Sequence, residues 1–177
     1  MDQRIKDRFR EIIRERAPRP QRVLEVGGLL GQKGLLNLPE LRDSERHLLN
    51  LVINSESEEI NLHVGNSNDM QQIFADDSFD LVMSNAVLEH DLHFWKSVAE
   101  MRRVLKPGGL MLIGVPGFVT LPSDTGASTL TYKVHHIVDY YRFSRAAVTE
   151  VFFDEMKDVQ VEAMLTPPRI VASGLKP

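Results

Sequence analysis

Four short stretches of this chain carry the residue types that bind a small polar ligand and align it for group transfer. The first is Glu25-Val26-Gly27-Gly28-Leu29-Leu30-Gly31. Its glycines let backbone approach a ligand without side-chain obstruction, and the acid ahead of them can orient an amino group. Asn50 lies about 20 positions beyond Gly27, the spacing at which a second-strand side chain meets a ligand hydroxyl; Asn54 is the second choice, and a surface turn is the plain alternative for either. The third is Gly65-Asn66-Ser67-Asn68-Asp69, where an amide oxygen and a backbone N–H stand side by side. The fourth runs from Ser84-Asn85-Ala86 to Glu89-His90. Histidine is the residue type suited to proton removal from an oxygen or nitrogen nucleophile, which makes His90 a candidate; the alternative is that it packs or caps beneath the ligand. Farther on, His135-His136 and Asp139-Tyr140-Tyr141-Arg142-Phe143-Ser144 form a dense cluster. Adjacent histidines point in different directions on a strand or a helix, so joint metal ligation is not expected, and no other cluster calls for a metal. His135, His136 and Tyr140 are candidates to line a substrate pocket; the plain reading is that the aromatics anchor the segment.

The elements that must position these residues can be read from periodicity. Ile5, Phe9, Ile12 and Ile13 predict a helix over 3–16, ended by Pro18 and Pro20. Arg22–Val26 reads as a buried strand entering the glycine turn. Pro39 breaks the leucine-rich stretch 29–45 into a short, interrupted helix or a loop. His47–Ile53 and Ile60–Val64 read as strands two and three, joined only by the polar Asn54–Glu59. Phe79–Ser84 is a fourth strand. Phe94, Val98, Met101 and Leu105 place a helix over 92–105, stopped by Lys106-Pro107-Gly108-Gly109, a type II turn signature. Leu110–Val115 is a central strand buried on both faces. Ser144 caps a helix with Val148, Val151 and Phe152 turned inward, and Val159–Leu165 and Arg169–Ala172 end the chain as strands. Alternating strands and helices followed by two strands predict an α/β sandwich around a mostly parallel sheet with an antiparallel edge. Ligands bind such a sheet at the carboxyl ends of its strands, which is where the four stretches fall.

Composition narrows the chemistry. The 177 residues fit one domain, and 42% hydrophobic content is enough for a core. The absence of cysteine excludes disulfides, cysteine-ligated zinc, iron–sulfur chemistry and a thiol nucleophile. A net charge of −4 argues against nucleic acid as a substrate. The arginine-rich start, from Arg4 to Arg22, reads as a solvated helix face rather than a phosphate- or membrane-binding one. With neither a membrane-length apolar run nor a leader pattern, the expected location is the cytoplasm.

Phe79-Asp80-Leu81-Val82-Met83-Ser84-Asn85-Ala86-Val87-Leu88-Glu89-His90, continued through Arg103-Val104-Leu105-Lys106-Pro107-Gly108-Gly109 into Leu110–Val115, resembles the class I S-adenosylmethionine (SAM)-dependent methyltransferases, in particular their compact small-molecule, type 11-like members. The likeness covers residues 20–116 well and the remainder loosely. It implies a Rossmann-like three-layer sandwich, with the helix between strands two and three short or missing. SAM is the implied cofactor and S-adenosylhomocysteine the product. The implied cofactor contacts are Glu25, Gly27, Gly28, Leu29, Gly31, Asn50, Leu51, Asn66, Ser67, Asn68, Asn85 and Ala86. His90 is the candidate catalytic residue. Leu29 stands where the family has the middle glycine of Gly-x-Gly-x-Gly; if that position requires positive φ, leucine costs roughly 1–2 kcal/mol. The family's ribose-binding acid at the end of strand two is absent, and Asn66 stands where the family favours aspartate.

The chain is thus expected to be one domain: a helix over 1–20, a cofactor-binding core over 21–115, a substrate lid over 116–142, and a terminal helix and strands over 143–177. The expected activity is methyl transfer from SAM to O, N or C of a small molecule. The competing reading is a degenerate methyltransferase fold serving as a binding or scaffold subunit. A nicotinamide oxidoreductase would want Gly-x-Gly-x-x-Gly; the chain offers Gly28-x-x-Gly31-x-x-Gly34. The sheet face bared by the missing helix suggests a homodimer.

Overall fold

A computed structural model describes residues 2–31, 34–121, 127–130 and 138–177. Helix α1 (Gln3–Arg16) starts where the Asp2 side chain accepts from the Arg4 N–H at 3.0 Å, and its Ile5, Phe9, Ile12 and Ile13 stripe is buried. Strand β1 (Arg22–Val26) ends at Gly27, whose φ of 75° only glycine adopts readily. Two 3₁₀ turns, Leu35–Asn37 and Pro39–Leu41, fill the stretch that Pro39 was expected to break. Strands β2 (Glu45–Asn50), β3 (Ile60–Val64) and β4 (Phe79–Asn85) follow, with no helix between β2 and β3. Then come α2 (Phe94–Val104), β5 (Leu105–Pro116), the short pair β6 (Val119–Thr120) and β7 (Ser128–Thr129), and α3 (Arg145–Ala147) running into a π-helical turn, Val148–Phe152. Strands β8 (Lys157–Leu165) and β9 (Pro168–Leu175) close the chain.

The main sheet has the order β3-β2-β1-β4-β5-β9-β8. Its first five strands are parallel, and β9 and β8 are antiparallel, so the Rossmann-like sheet with an antiparallel edge is what the sequence folds into. Alternate residues of each strand feed two cores. On one face Val23, Leu81, Met83, Leu112 and Val171 pack with α1 and the 3₁₀ leucines. On the other, Leu24, Val82, Met111 and Ile113 pack with α2 and Phe152. β5 is buried on both faces, as its continuous apolar run requires.

The long run that carries the family resemblance proves largely to be scaffold. Asp80 accepts from the N–H groups of Gln21 and Arg22 and pairs with Lys106 at 2.7 Å, fixing the start of β4 against β1 and β5. Arg103 binds Glu100, Asp76 and the Phe74 carbonyl. Gly108, at φ 75°, supplies the turn expected at Lys106–Gly109, although the ladder counts that turn as part of β5.

Several boundaries differ from the sequence reading. β2 ends at Asn50, not Ile53, because its partner β1 ends at Val26 opposite Leu49; Leu51 and Val52 are left exposed. The helix expected over 92–105 is Phe94–Val104, and Leu105 already pairs with Phe79. Ser144 does cap, accepting from the Ala147 N–H at 3.1 Å, but the chain then winds with an i→i+5 bond from Phe153 to Val148. That keeps Val148 and Phe152 inward and turns Val151 out to solvent. The arginines of α1 are not simply solvated: Arg10 and Arg14 clamp Glu40, and Arg8 pairs with Glu162. Among the described residues, no helix is long and apolar enough to cross a membrane.

Candidate active site

The carboxyl ends of β1, β2, β4 and β5 open onto a crevice of about 770 Å³, joined by a smaller hollow of about 230 Å³ toward β3. Together they lie within the size range of small-molecule sites. Both share Gly27, Asn50, Leu51, Val87 and His90.

At the β1 end, Glu25 is 2% exposed and lies beneath the glycine turn. A Cβ on Gly28 would sit 2.2 Å from the Glu25 carboxyl carbon, which is why that residue is glycine. The carboxylate accepts from the Leu36 N–H at 3.2 Å, yet burial dominates and pushes its pKa up to about 7. Leu29 corrects an expectation. The positive φ values fall at Gly27 and Gly31, not at Leu29, so leucine carries no backbone strain there. Its side chain is 71% exposed at the crevice mouth. Gly31, at φ 91°, shapes the turn and does not line the crevice.

Asn50 closes the end of β2. Its amide donates to the Gly28 carbonyl at 3.0 Å and accepts from the Leu51 N–H at 2.8 Å, bracing the glycine turn from the side. Asn54 lies in the exposed 51–59 stretch, outside the crevice. The smaller hollow gathers Leu51, Asn66, Ser67 and Asn68 with Leu92 and Tyr140. Asn66 accepts from the Asn68 N–H at 2.9 Å; Asn68 donates to Asp91 and Ser97, and Ser97 donates to Ser67. This network fixes the loop after β3 to the start of α2.

Past β4, Ala86 takes φ 58°, an uncommon conformation for a residue with a Cβ. It turns the chain out of the sheet between the two ends of the crevice. Asn85 Oδ1 is buried without a hydrogen-bond donor, and so is Glu89 Oε2. Burial raises the Glu89 pKa. His90 Nδ1 lies 3.0 Å from the Val138 carbonyl and 2.8 Å from Asp139 Oδ1, and Tyr140 N donates to the Glu89 carbonyl at 2.7 Å. The His90 ring thus holds the 138–141 segment against the crevice. Asp139 in turn pairs with Arg142.

The structure therefore brings Glu25, Gly27, Gly28, Leu29, Asn50, Leu51, Asn66, Ser67, Asn68, Asn85, Ala86 and His90 to one opening. Tyr140 lines the hollow toward β3. His135 and His136 lie outside the described residues. Sequence reasoning did not single out Glu89, Arg142 or Arg169 for the site. The first two stand inside motifs already noticed. Arg169 reaches the crevice only because β9 pairs with β5, placing it opposite Pro116. Among the described residues no group of three or more metal-ligating side chains occurs.

Residues 40–113, somewhat under half of the chain, match the family described as "Methyltransferase domain". No curated protein matches. The fold is shared with solved structures at low identity. One is phosphoethanolamine N-methyltransferase 2 of Haemonchus contortus in complex with SAM, at 16% identity and TM-score 0.70, covering 97% of this chain and 52% of that one. Another is 1,6-didemethyltoxoflavin-N1-methyltransferase of Burkholderia thailandensis, with its namesake ligand and S-adenosylhomocysteine bound, at 17% identity and TM-score 0.69, covering 97% and 77%. A third is a putative methyltransferase complexed with the Trm112 methyltransferase activator of Haloferax volcanii, at 19% identity and TM-score 0.64, covering 98% and 94%. The chain spans about half the length of the Haemonchus enzyme. Residues 40–113 are thus similar to that family, and the fold along nearly the whole chain is similar to that of these solved methyltransferases.

Proposed function

We propose that this chain binds SAM along the crevice and transfers its methyl group to a small molecule seated over β4, β5 and β9. The observation that carries the reading is one opening that joins two kinds of surface. Toward β2 and β3 it offers Asn50, Leu51, Asn66 and Ser67, suited to an adenosine. Toward β1 and β4 it offers the Gly27–Gly28 backbone over a buried acid, with the unpartnered acceptors Asn85 Oδ1 and Glu89 Oε2. Buried acceptors without donors are costly, and polar hydrogens of a bound ligand would satisfy them. The Haemonchus and Burkholderia neighbours, solved with SAM or S-adenosylhomocysteine, support the same reading.

When bound, SAM would supply an electrophilic methyl carbon activated by its sulfonium sulfur. The chain's own residues do the positioning. Glu25 and the glycine turn fix the amino-acid end, Leu51 and the Asn66–Ser67 loop fix the base, and Ala86 sets the strand end beneath the reacting centre. Alignment of this kind supplies much of the rate of a displacement. His90 serves mainly to hold the 138–141 segment over the site.

A non-catalytic binding subunit is the second reading. It is favoured by Asn50, whose amide is engaged by backbone at both ends where the family places a ribose-binding acid. Calorimetric titration with SAM and with S-adenosylhomocysteine separates the two. Saturable one-to-one binding of both is expected; absence of binding by either contradicts the enzyme reading. The cytoplasm remains the proposed location. A homodimer covering the exposed Leu51, Val52 and Val64 beside β3 is likewise proposed, with light scattering as its test.

A further inference from the structure

Arg169 is a guanidinium without a local purpose. It sits at the start of β9, opposite Pro116 at the end of β5, and lines the wide end of the crevice. Its Nη1 is buried and has no hydrogen-bond partner, and it makes no salt bridge among the described residues. The charged groups around it do not neutralise it. Asp2 is committed to Arg4 and the cap of α1. Arg142 pairs with Asp139 and repels Arg169. Glu89 is the nearest candidate counter-charge, but burial favours its neutral form. Arg169 is half-buried, and its one solvent-excluded N–H group lacks an acceptor; an unsatisfied buried donor is costly, and burial lowers the Arg169 pKa.

Position decides which ligand would answer that charge. Residues two apart on a strand share a face. Glu25, Asn85 and Arg169 each stand two residues beyond a member of the α1-side core, namely Val23, Met83 and (counting back along β9) Val171. They therefore share one sheet face and rise across it in a diagonal: Glu25 is level with Met83, Asn85 with Gly114, and Arg169 with Pro116. With strands about 4.8 Å apart and about 3.3 Å of rise per residue, three strand steps and four residues of rise separate Glu25 from Arg169 by about 20 Å. The cofactor's amino-acid end belongs at Glu25 and the methyl group near Asn85–Ala86. Arg169 stands beyond the methyl, on the acceptor's side.

We propose that Arg169 binds an anionic group, carboxylate or phosphate, of the methyl acceptor, so that the acceptors of this protein are small anions. The proposal rests on the methyltransferase reading for what happens next to the bound anion, but anion binding itself can be measured separately. A planar guanidinium favours such groups because two of its N–H bonds can reach both oxygens at once.

The test is calorimetric titration at fixed ionic strength with benzoate, phenyl phosphate and the neutral benzamide, each with and without saturating S-adenosylhomocysteine. Wild type, Arg169→Lys and Arg169→Met are compared after their melting curves are recorded. Benzoate or phenyl phosphate is expected to bind wild type at least tenfold more tightly than benzamide, and the tighter of the two names the anion. Arg169→Met should lose at least tenfold for the anion, Arg169→Lys less, with affinity for S-adenosylhomocysteine changed by under twofold. Anions that bind wild type no better than benzamide overturn the proposal, and this comparison stands even if a variant fails to fold. So does an Arg169→Met protein that loses S-adenosylhomocysteine while keeping the anion, since Arg169 would then hold the cofactor's carboxylate. Failure of S-adenosylhomocysteine to bind wild type, with anion preference intact, strikes the methyltransferase reading alone.

Discussion

Glu25 should couple cofactor binding to proton release. Its carboxyl is fully buried, and burial outweighs the hydrogen bond from Leu36, lifting its pKa to about 7. In the ligand-free protein it is therefore about half protonated at neutral pH. If the cofactor's ammonium group is held by this carboxylate, the bound state needs the ionised form. Apparent affinity for S-adenosylhomocysteine should then rise roughly tenfold between pH 6 and pH 8 and level off above that. About half a proton should be released per binding event at pH 7. Calorimetry in two buffers of different ionisation enthalpy counts that proton. Glu25→Gln should bind about tenfold more weakly at pH 8, without the pH dependence. Stability should move the other way. A carboxyl whose folded pKa exceeds its unfolded value of 4.5 stabilises the fold below that pH, and the advantage is lost as pH rises through about 7. Ionised Glu25 thus costs the free protein up to about 3 kcal/mol at pH 8, and Glu25→Gln should melt higher than wild type there. Affinity that is flat in pH, or equally steep in Glu25→Gln, refutes the assignment.

Other outcomes follow from the same geometry. Gly28→Ala should lower affinity for S-adenosylhomocysteine at least tenfold in calorimetry, because its Cβ displaces the Glu25 carboxyl; unchanged affinity would separate that carboxyl from cofactor binding. Leu29→Ala should leave stability within about 0.5 kcal/mol by urea titration, since Leu29 is exposed and carries no positive φ; a gain of 1–2 kcal/mol in Leu29→Gly would reveal strain after all. His47 and His63 stack at 5.2 Å between Phe74, Phe79, Arg22 and Glu45, and burial lowers both pKa values. Their contribution to stability is present above pH 6.5 and lost as pH falls through the lower folded values. Urea midpoints should drop between pH 7.5 and pH 5.5, and less so in His63→Gln; equal drops would place the acid sensitivity elsewhere.

The sheet was legible because its strands announce themselves as apolar runs broken by Gly27, Gly65 and Gly109, and because α2 shows its stripe plainly. The frame of β2 was not. Leu51, Val52 and Ile53 look like strand, yet a strand ends where its partner does, and β1 turns away at Gly27. Val151 misled for a similar reason, since an α-helical period does not describe a π turn. At the site, residues directly following strands could be found by spacing. Glu89 and Arg142 stood within motifs whose neighbours drew the attention. Arg169 had no local signal: its place depends on β9 crossing back to lie beside β5, which no spacing within the strand records. Leu29, the apparent departure from the glycine pattern, carries no backbone strain because the positive φ values fall at Gly27 and Gly31 instead.

The most direct test of the account is a crystal structure of this chain with S-adenosylhomocysteine. The adenine is expected beside Leu51 and the Asn66–Ser67 loop, the amino-acid end against Gly27–Gly28 within reach of Glu25, and the sulfur toward Ala86, with Arg169 open beyond it. A ligand lying elsewhere or with its ends reversed, or a crevice that stays empty at saturating concentration, would contradict it.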